Sequence, residues 1–298
     1  MKLALGIVQF GLAYGVANHA GKPPLMQAFA VLDAAWEDGV RLIDSAQEYG
    51  DANQVLAQYH AARSHRFSVI NKVWRHPTNY NDVYDTLARE RDSLRIDCFD
   101  TVMFHHPATV DQTVPDDLFD RLKSAGLIKR GGLSFERPAD YQRLSQRFAF
   151  DVVQLPINMV NQQFISAEFI QSLARDQVEI HARSVFLQGL LLSSPDQIPA
   201  HLAPFKDIVA RLKNDCADSD VDAPIDPLAA CLLYVLQMPA VENIVVGAQD
   251  ISQWAQISST YQALTDRASS VALPWADYAV SDERLAFPAL WSSLLTQA

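Results

Sequence analysis

Short apolar runs, each bounded by a polar or turn-forming stretch, recur along this chain at intervals that leave room for one helix between neighbours. Eight are legible: LALGIVQ, VRLIDSA, FSVINKV, DTVMFHH, IKRGGLSF, DVVQLPIN, EIHARSVF and ENIVVGA. Several are apolar on both faces, as a parallel strand covered on both sides must be. Between the first two, Leu25, Phe29, Leu32 and Trp36 fall on one helical stripe, and Gly39 supplies the residue that ends it. Near the end, Asp226 and Pro227 read as the N-cap and first-turn proline of another helix that carries Leu232 and Val235 inward. Strand and helix patterns alternating through the whole length predict an α/β fold, and eight units predict closure into a single-domain (β/α)8 TIM barrel over residues 1–298. The rhythm breaks once, between Leu187 and Ile225, where a long insertion after strand 7 is expected with a short helix around His201 to Asn214. It leaves the barrel at the end where active sites form. The tail after Asp266 contains Trp275, Tyr278, Phe287 and Trp291, a pattern that predicts packing back onto the barrel.

Composition narrows the partners. With 49% hydrophobic and 20% charged residues in 298, the chain has enough apolar material for one large core. The net charge of -11 is spread without clusters of Lys or Arg, which speaks against nucleic acid and anionic membrane surfaces and leaves small molecules as the expected partners. Cys98, Cys216 and Cys231 are far apart and odd in number, so a reducing, cytoplasmic setting is expected, with no disulfide framework and no metal site built on cysteines. The opening MKLALGIVQFGLAYG lacks a cleavage pattern and reads as a strand with its loop. Nothing in the sequence speaks to oligomeric state.

Candidate chemistry sits where strands end. Asp44, Lys72 and His105 close the second, third and fourth strands, with His106 next to the last, and their separations of 28 and 33 residues each equal one strand–helix unit. That spacing sets the three side by side at one mouth of the barrel, with Tyr49 in the loop just beyond Asp44. A structural ion pair is the plain alternative for any one of them. Together they suit proton transfer to a carbonyl: an aspartate keeps a buried lysine charged, the ammonium is expected to lower the phenol from about 10, and a histidine orients the oxygen.

The segments DSAQEYG, NKVW and MFHHP, in this order and spacing, resemble the Asp, Tyr, Lys and His tetrad of the aldo-keto reductases. QFGLAYG, GLSF, VVQLPIN and VVGAQ are similar to that family's first loop, its Gly-x-Ser segment, its sixth strand and its last strand. The resemblance implies an NAD(P)(H)-dependent oxidoreductase that moves a hydride between cofactor and a small polar carbonyl or alcohol, with Asp44, Tyr49, Lys72 and His105 in the catalytic roles. It further implies that Ser134 and Gln154 hold the nicotinamide carboxamide, that Ser184 meets the diphosphate, and that Gly247, Ala248, Gln249 and Gln253 receive the adenosine phosphate. Three positions depart from the family pattern: Phe135 replaces an asparagine; Arg183, a cofactor-binding candidate, replaces the tyrosine that stacks on nicotinamide, and its planar guanidinium can either stack there or bind an anionic group of the substrate; and no Lys or Arg lies between Gly247 and Leu264 to pair with a 2′-phosphate. NAD(H) and NADP(H) therefore both remain open. Two rival readings keep the fold: a nicotinamide-binding regulatory or scaffold protein, and a metal-dependent hydrolase using Asp44, His105, His106 and His181.

Overall fold

A computed structural model of the protein describes residues 1–73, 79–164, 166–218, 225–265 and 273–297. Eight parallel strands close on themselves in sequence order: β1 (Lys2–Gly6), β2 (Leu42–Asp44), β3 (Ser68–Val73), β4 (Phe99–Phe104), β5 (Ile128–Ser134), β6 (Val152–Pro156), β7 (Glu179–Arg183) and β8 (Val241–Val246), with β8 pairing back onto β1. Each grows from one of the apolar runs, and the intervening helices cover the outside. The barrel interior is filled, with Ile70, Met103 and Val152 forming a buried layer of their own. Register puts Asp44 level with Ile70, Lys72 with Met103, Ser134 with Gln154 and Pro156 with Arg183, and Asp44, Lys72, Ser134 and Arg183 stand at or next to the carboxyl ends of their strands.

The opposite end of the barrel is closed by charge. Arg130 bridges Asp100 and Glu179, the latter at 2.6 Å. Glu179 also meets His181 Nε2 at 2.7 Å and accepts from Asn243 Nδ2 at 3.0 Å. The His181 hydrogen bond, with Arg130 beside it, holds the Glu179 carboxyl below its ordinary value.

Helix Leu25–Glu37 ends as its sequence suggests, with Gly39 at φ +85°. Its buried face is Ala28, Phe29, Val31, Leu32 and Ala35, whereas Leu25, the first residue of the helix, is exposed together with Met26. Asp226 caps helix Pro227–Leu236 by accepting from Ala229 N at 2.7 Å. In the insertion, three short 3-10 turns precede helix Phe205–Ala217, which starts later than the sequence pattern suggests because Pro199 and Pro204 hold the chain in turns before it. Tyr278, Phe287 and Trp291 of the tail are buried, and Trp275 Nε1 donates to Gln237 at 2.8 Å. Among the described residues no helix is long and apolar enough to cross a membrane.

Candidate active site

Two glycines fix the loop that carries the phenol. A Cβ on Gly11 would stand 1.7 Å from the Tyr49 carbonyl oxygen, and one on Gly50, which has φ +56°, would stand 2.4 Å from the Gly11 carbonyl. Only bare backbone lets these two loops approach so closely. Their contact presses Tyr49 against the end of β3.

There the Lys72 ammonium, fully buried, donates to both oxygens of Asp44 at 2.7 Å, to the Ser45 carbonyl at 3.1 Å and to the Tyr49 hydroxyl at 3.2 Å. Burial pushes Lys72 down from its ordinary value against the pull of Asp44. Tyr49 moves the other way from the sequence expectation: burial first, and then the Asp44 carboxylate, push its phenol up, and only Arg183 opposes them among the nearby cations. The reason is loss of water around the phenol, which disfavours the phenolate, with the Asp44 and Glu48 carboxylates adding to it. His105 lies edge-on to the Tyr49 ring with centroids 5.8 Å apart.

The sequence-derived site residues fall around one cleft of about 920 Å3, lined by Asp44, Tyr49, His105, Ser134, Gln154, Arg183, Ser184, Gly247, Gln249 and Gln253. Lys72 lies beneath it, under Tyr49. Ala248 does not line it; its side chain is buried in the core beside β8, so it has only backbone to offer. Gln154 donates to Asp44 at 2.7 Å, which leaves its Oε1 buried without a partner, and Gln9 Oε1 is in the same condition. Buried acceptors of this kind suit an incoming amide. At the far end Gln253 Oε1 accepts from Gln249 N at 3.0 Å and Gln249 Nε2 donates to the Gly21 carbonyl at 2.7 Å, tying the first loop across the cleft. The loop after β7 is unusual in its backbone: Ser184, Leu187 and Gln188 have φ of +57°, +48° and +57°, followed by Gly189 at +84°. Strain of this sort collects at functional sites. Near the start of the helix after β3, Tyr80 stacks on Tyr84 with Arg121 over its face.

The ligand set of the hydrolase rival is not brought together. Asp44 is held by Lys72, and the His181 ring points at Glu179 and Asn243 on the barrel floor. Among the described residues the cluster that does form is Glu48, His105 and His106, whose candidate ligand atoms lie within 4.8 Å of one another. Sequence reasoning missed Glu48 as well as Gln9 and Tyr14, which also line the cleft. Glu48 stands next to Tyr49 in the quoted segment, and that adjacency was the available signal.

The pattern of the Aldo/keto reductase family matches residues 2–269. D-threo-aldose 1-dehydrogenase of a Pseudomonas species is 25% identical over 88% of this chain and 92% of its own length. Among solved structures, the holo form of aldo-keto reductase AKR11C1 from Bacillus halodurans has a TM-score of 0.71 at 17% identity, covering 95% of both chains. The glycerol dehydrogenase AKR11B4 from Gluconobacter oxydans has a TM-score of 0.68 at 15% identity, covering 99% of this chain and 91% of its own. Aldo-keto reductases use NAD(P)(H). With the family pattern spanning nearly the whole barrel, the chain belongs to the aldo/keto reductase family.

Proposed function

We propose that the protein reduces a carbonyl on a small polar substrate, or runs the reverse oxidation, with Tyr49 as the proton donor and NAD(P)(H) as the redox partner. The observation that carries this reading is the chain of contacts Asp44–Lys72–Tyr49, closed at 2.7 and 3.2 Å, whose last member faces the cleft. Bound NAD(P)H supplies the hydride. The residues of this chain do the rest. Tyr49, held protonated by burial, gives its proton to the carbonyl oxygen, and Lys72 then hydrogen-bonds the phenolate left behind. His105, beside the Tyr49 ring, orients the same oxygen and steadies its developing charge.

Ser134 and the unpartnered Oε1 of Gln154, paired across β5 and β6, would hold the carboxamide. Ser184 would meet the diphosphate, and Gly247, Gln249 and Gln253 line the distal end, where among the described residues the side chains are amides and no Lys or Arg lines the cleft beside them. Either cofactor therefore fits. The aldose and glycerol dehydrogenases among its relatives favour a polyhydroxylated substrate. Fluorescence titration with NADH and NADPH separately, followed by turnover over a panel of aldoses and short polyols, tests the proposal. Binding with turnover that Tyr49→Phe abolishes is the expected result. Binding without turnover over the whole panel would favour the regulatory reading, and failure to bind either cofactor would overturn both.

A further inference from the structure

The geometry points to Arg183 as the residue that makes this site distinguish the two redox states of its cofactor, favouring the neutral reduced nicotinamide over the cationic oxidised one. The inference rests on the cofactor reading proposed above. Arg183 closes β7 level with Pro156, two residues above the layer in which His181 pairs with Gln154. Its Nη2 donates to the Phe135 carbonyl at 3.3 Å, so the guanidinium reaches past β6 to the end of β5, next to Ser134. It therefore stands beside the two residues assigned to the carboxamide.

This cation is poorly neutralised. Both its hydrogen bonds, to Phe135 and to Ser184 Oγ, are long at 3.3 Å, its carboxylate partner Glu136 is 3.7 Å away, and its Nε is buried with no partner. A guanidinium keeps its charge at any working pH and offers five donors. Asp44, the buried carboxylate of the site, is already taken by Lys72. Arg183 is close enough to act on the phenols of both Tyr49 and Tyr14, pulling against burial and against Asp44 and Glu48 at the first and against burial, Tyr49 and Glu136 at the second.

A pyridine ring whose carboxamide rests on Ser134 and Gln154 falls inside the same field. Reduced, it carries no charge and is indifferent. Oxidised, it carries one positive charge and is repelled. At separations of several ångströms in a partly desolvated cleft, that repulsion corresponds to about a tenfold to hundredfold difference in affinity, with Glu136 drawing it toward the lower end.

Isothermal titration of the wild type, Arg183→Met and Arg183→Lys with oxidised and with reduced cofactor reads the ratio of the two dissociation constants directly. The wild type is expected to prefer the reduced form. Arg183→Met should shrink that preference about tenfold, chiefly by tightening the oxidised form, and Arg183→Lys should keep it. Circular dichroism confirms that each variant is folded, and the two variants bracket charge against shape. A ratio unmoved in Arg183→Met, or both forms weakened equally, would overturn the inference while leaving the cofactor reading intact. A wild type that binds neither form would overturn the two together.

Discussion

The floor of the barrel and its mouth are built from the same parts, a cation held among acids on neighbouring strands, and they are finished differently. On the floor, Arg130 joins Asp100 to Glu179, and Glu179 is met in turn by His181 and Asn243. Charge there meets charge of the same molecule. At the mouth, Lys72 satisfies Asp44, and its remaining side-chain contact is a phenol that opens onto the cleft, while Gln154, Gln9 and Arg183 leave atoms without partners around it. A closed network rigidifies, whereas one left incomplete toward a cavity waits for a ligand. The floor also leaves one buried atom, His181 Nδ1, without a partner, but His181 does not line the cleft, so the difference between the two ends lies in where the open polar groups face.

The widest separation between the two ends should come from Tyr49→Phe. Loss of the phenol proton is expected to lower turnover by about a thousandfold with cofactor affinity and melting temperature nearly unchanged. Rates within a few-fold of wild type would remove Tyr49 from the chemistry. Next, Lys72→Met strands a buried carboxylate, and urea denaturation should show a loss of about 3–5 kcal/mol together with loss of turnover. The floor counterpart, Arg130→Met, strands acids that water already reaches, with side-chain exposures of 18% and 29% for Asp100 and Glu179. Its expected loss is smaller, about 1–2 kcal/mol, and turnover should not move. If Arg130→Met silenced the enzyme while Lys72→Met did not, the contrast would be inverted.

Acidity divides the two ends as well. Because burial raises the Tyr49 phenol above its ordinary 10.0, the donor stays protonated across the neutral and mildly alkaline range, and reductive kcat/KM should show no Tyr49-dependent decline there. A decline centred near neutrality that His105→Asn fails to remove would mean that the phenol is acidified after all. The smallest effect belongs to Glu179. Its folded value lies below the ordinary 4.5, so its contribution is complete above that value and is lost as pH falls below it toward the folded value. Glu179→Gln should therefore flatten the acid limb of melting temperature against pH by about 1 kcal/mol of stability, a change that thermal scans at successive pH values detect.

Much of this was legible in one dimension. Runs apolar on both faces can be little else than strands of a covered parallel sheet, and a repeat of one strand–helix unit places Asp44, Lys72 and His105 together without coordinates. What the sequence withheld was height and direction. His181 and Arg183 are two apart on one strand and share a face, yet one belongs to the floor network and the other to the mouth. Ala248 sits between two cleft residues but turns into the core. The sign of the Tyr49 shift was also hidden, since residue spacing names the neighbouring charges without revealing how little water remains around the phenol or that the carboxylates beside it add to the effect of burial. Nor does spacing set residue 48 against residues 105 and 106, because loop geometry is not periodic.

The left-handed turn after β7 sets heat resistance and selectivity against each other. Gln188 holds a backbone shape that costs a side-chain-bearing residue about 1 kcal/mol, and its neighbours Ser184 and Leu187 do the same. A laboratory lineage selected only for survival at high temperature would find an easy gain in relaxing this turn with glycine or asparagine at position 188. The same relaxation would loosen the wall next to Arg183, so tougher descendants are expected to become less discriminating ones.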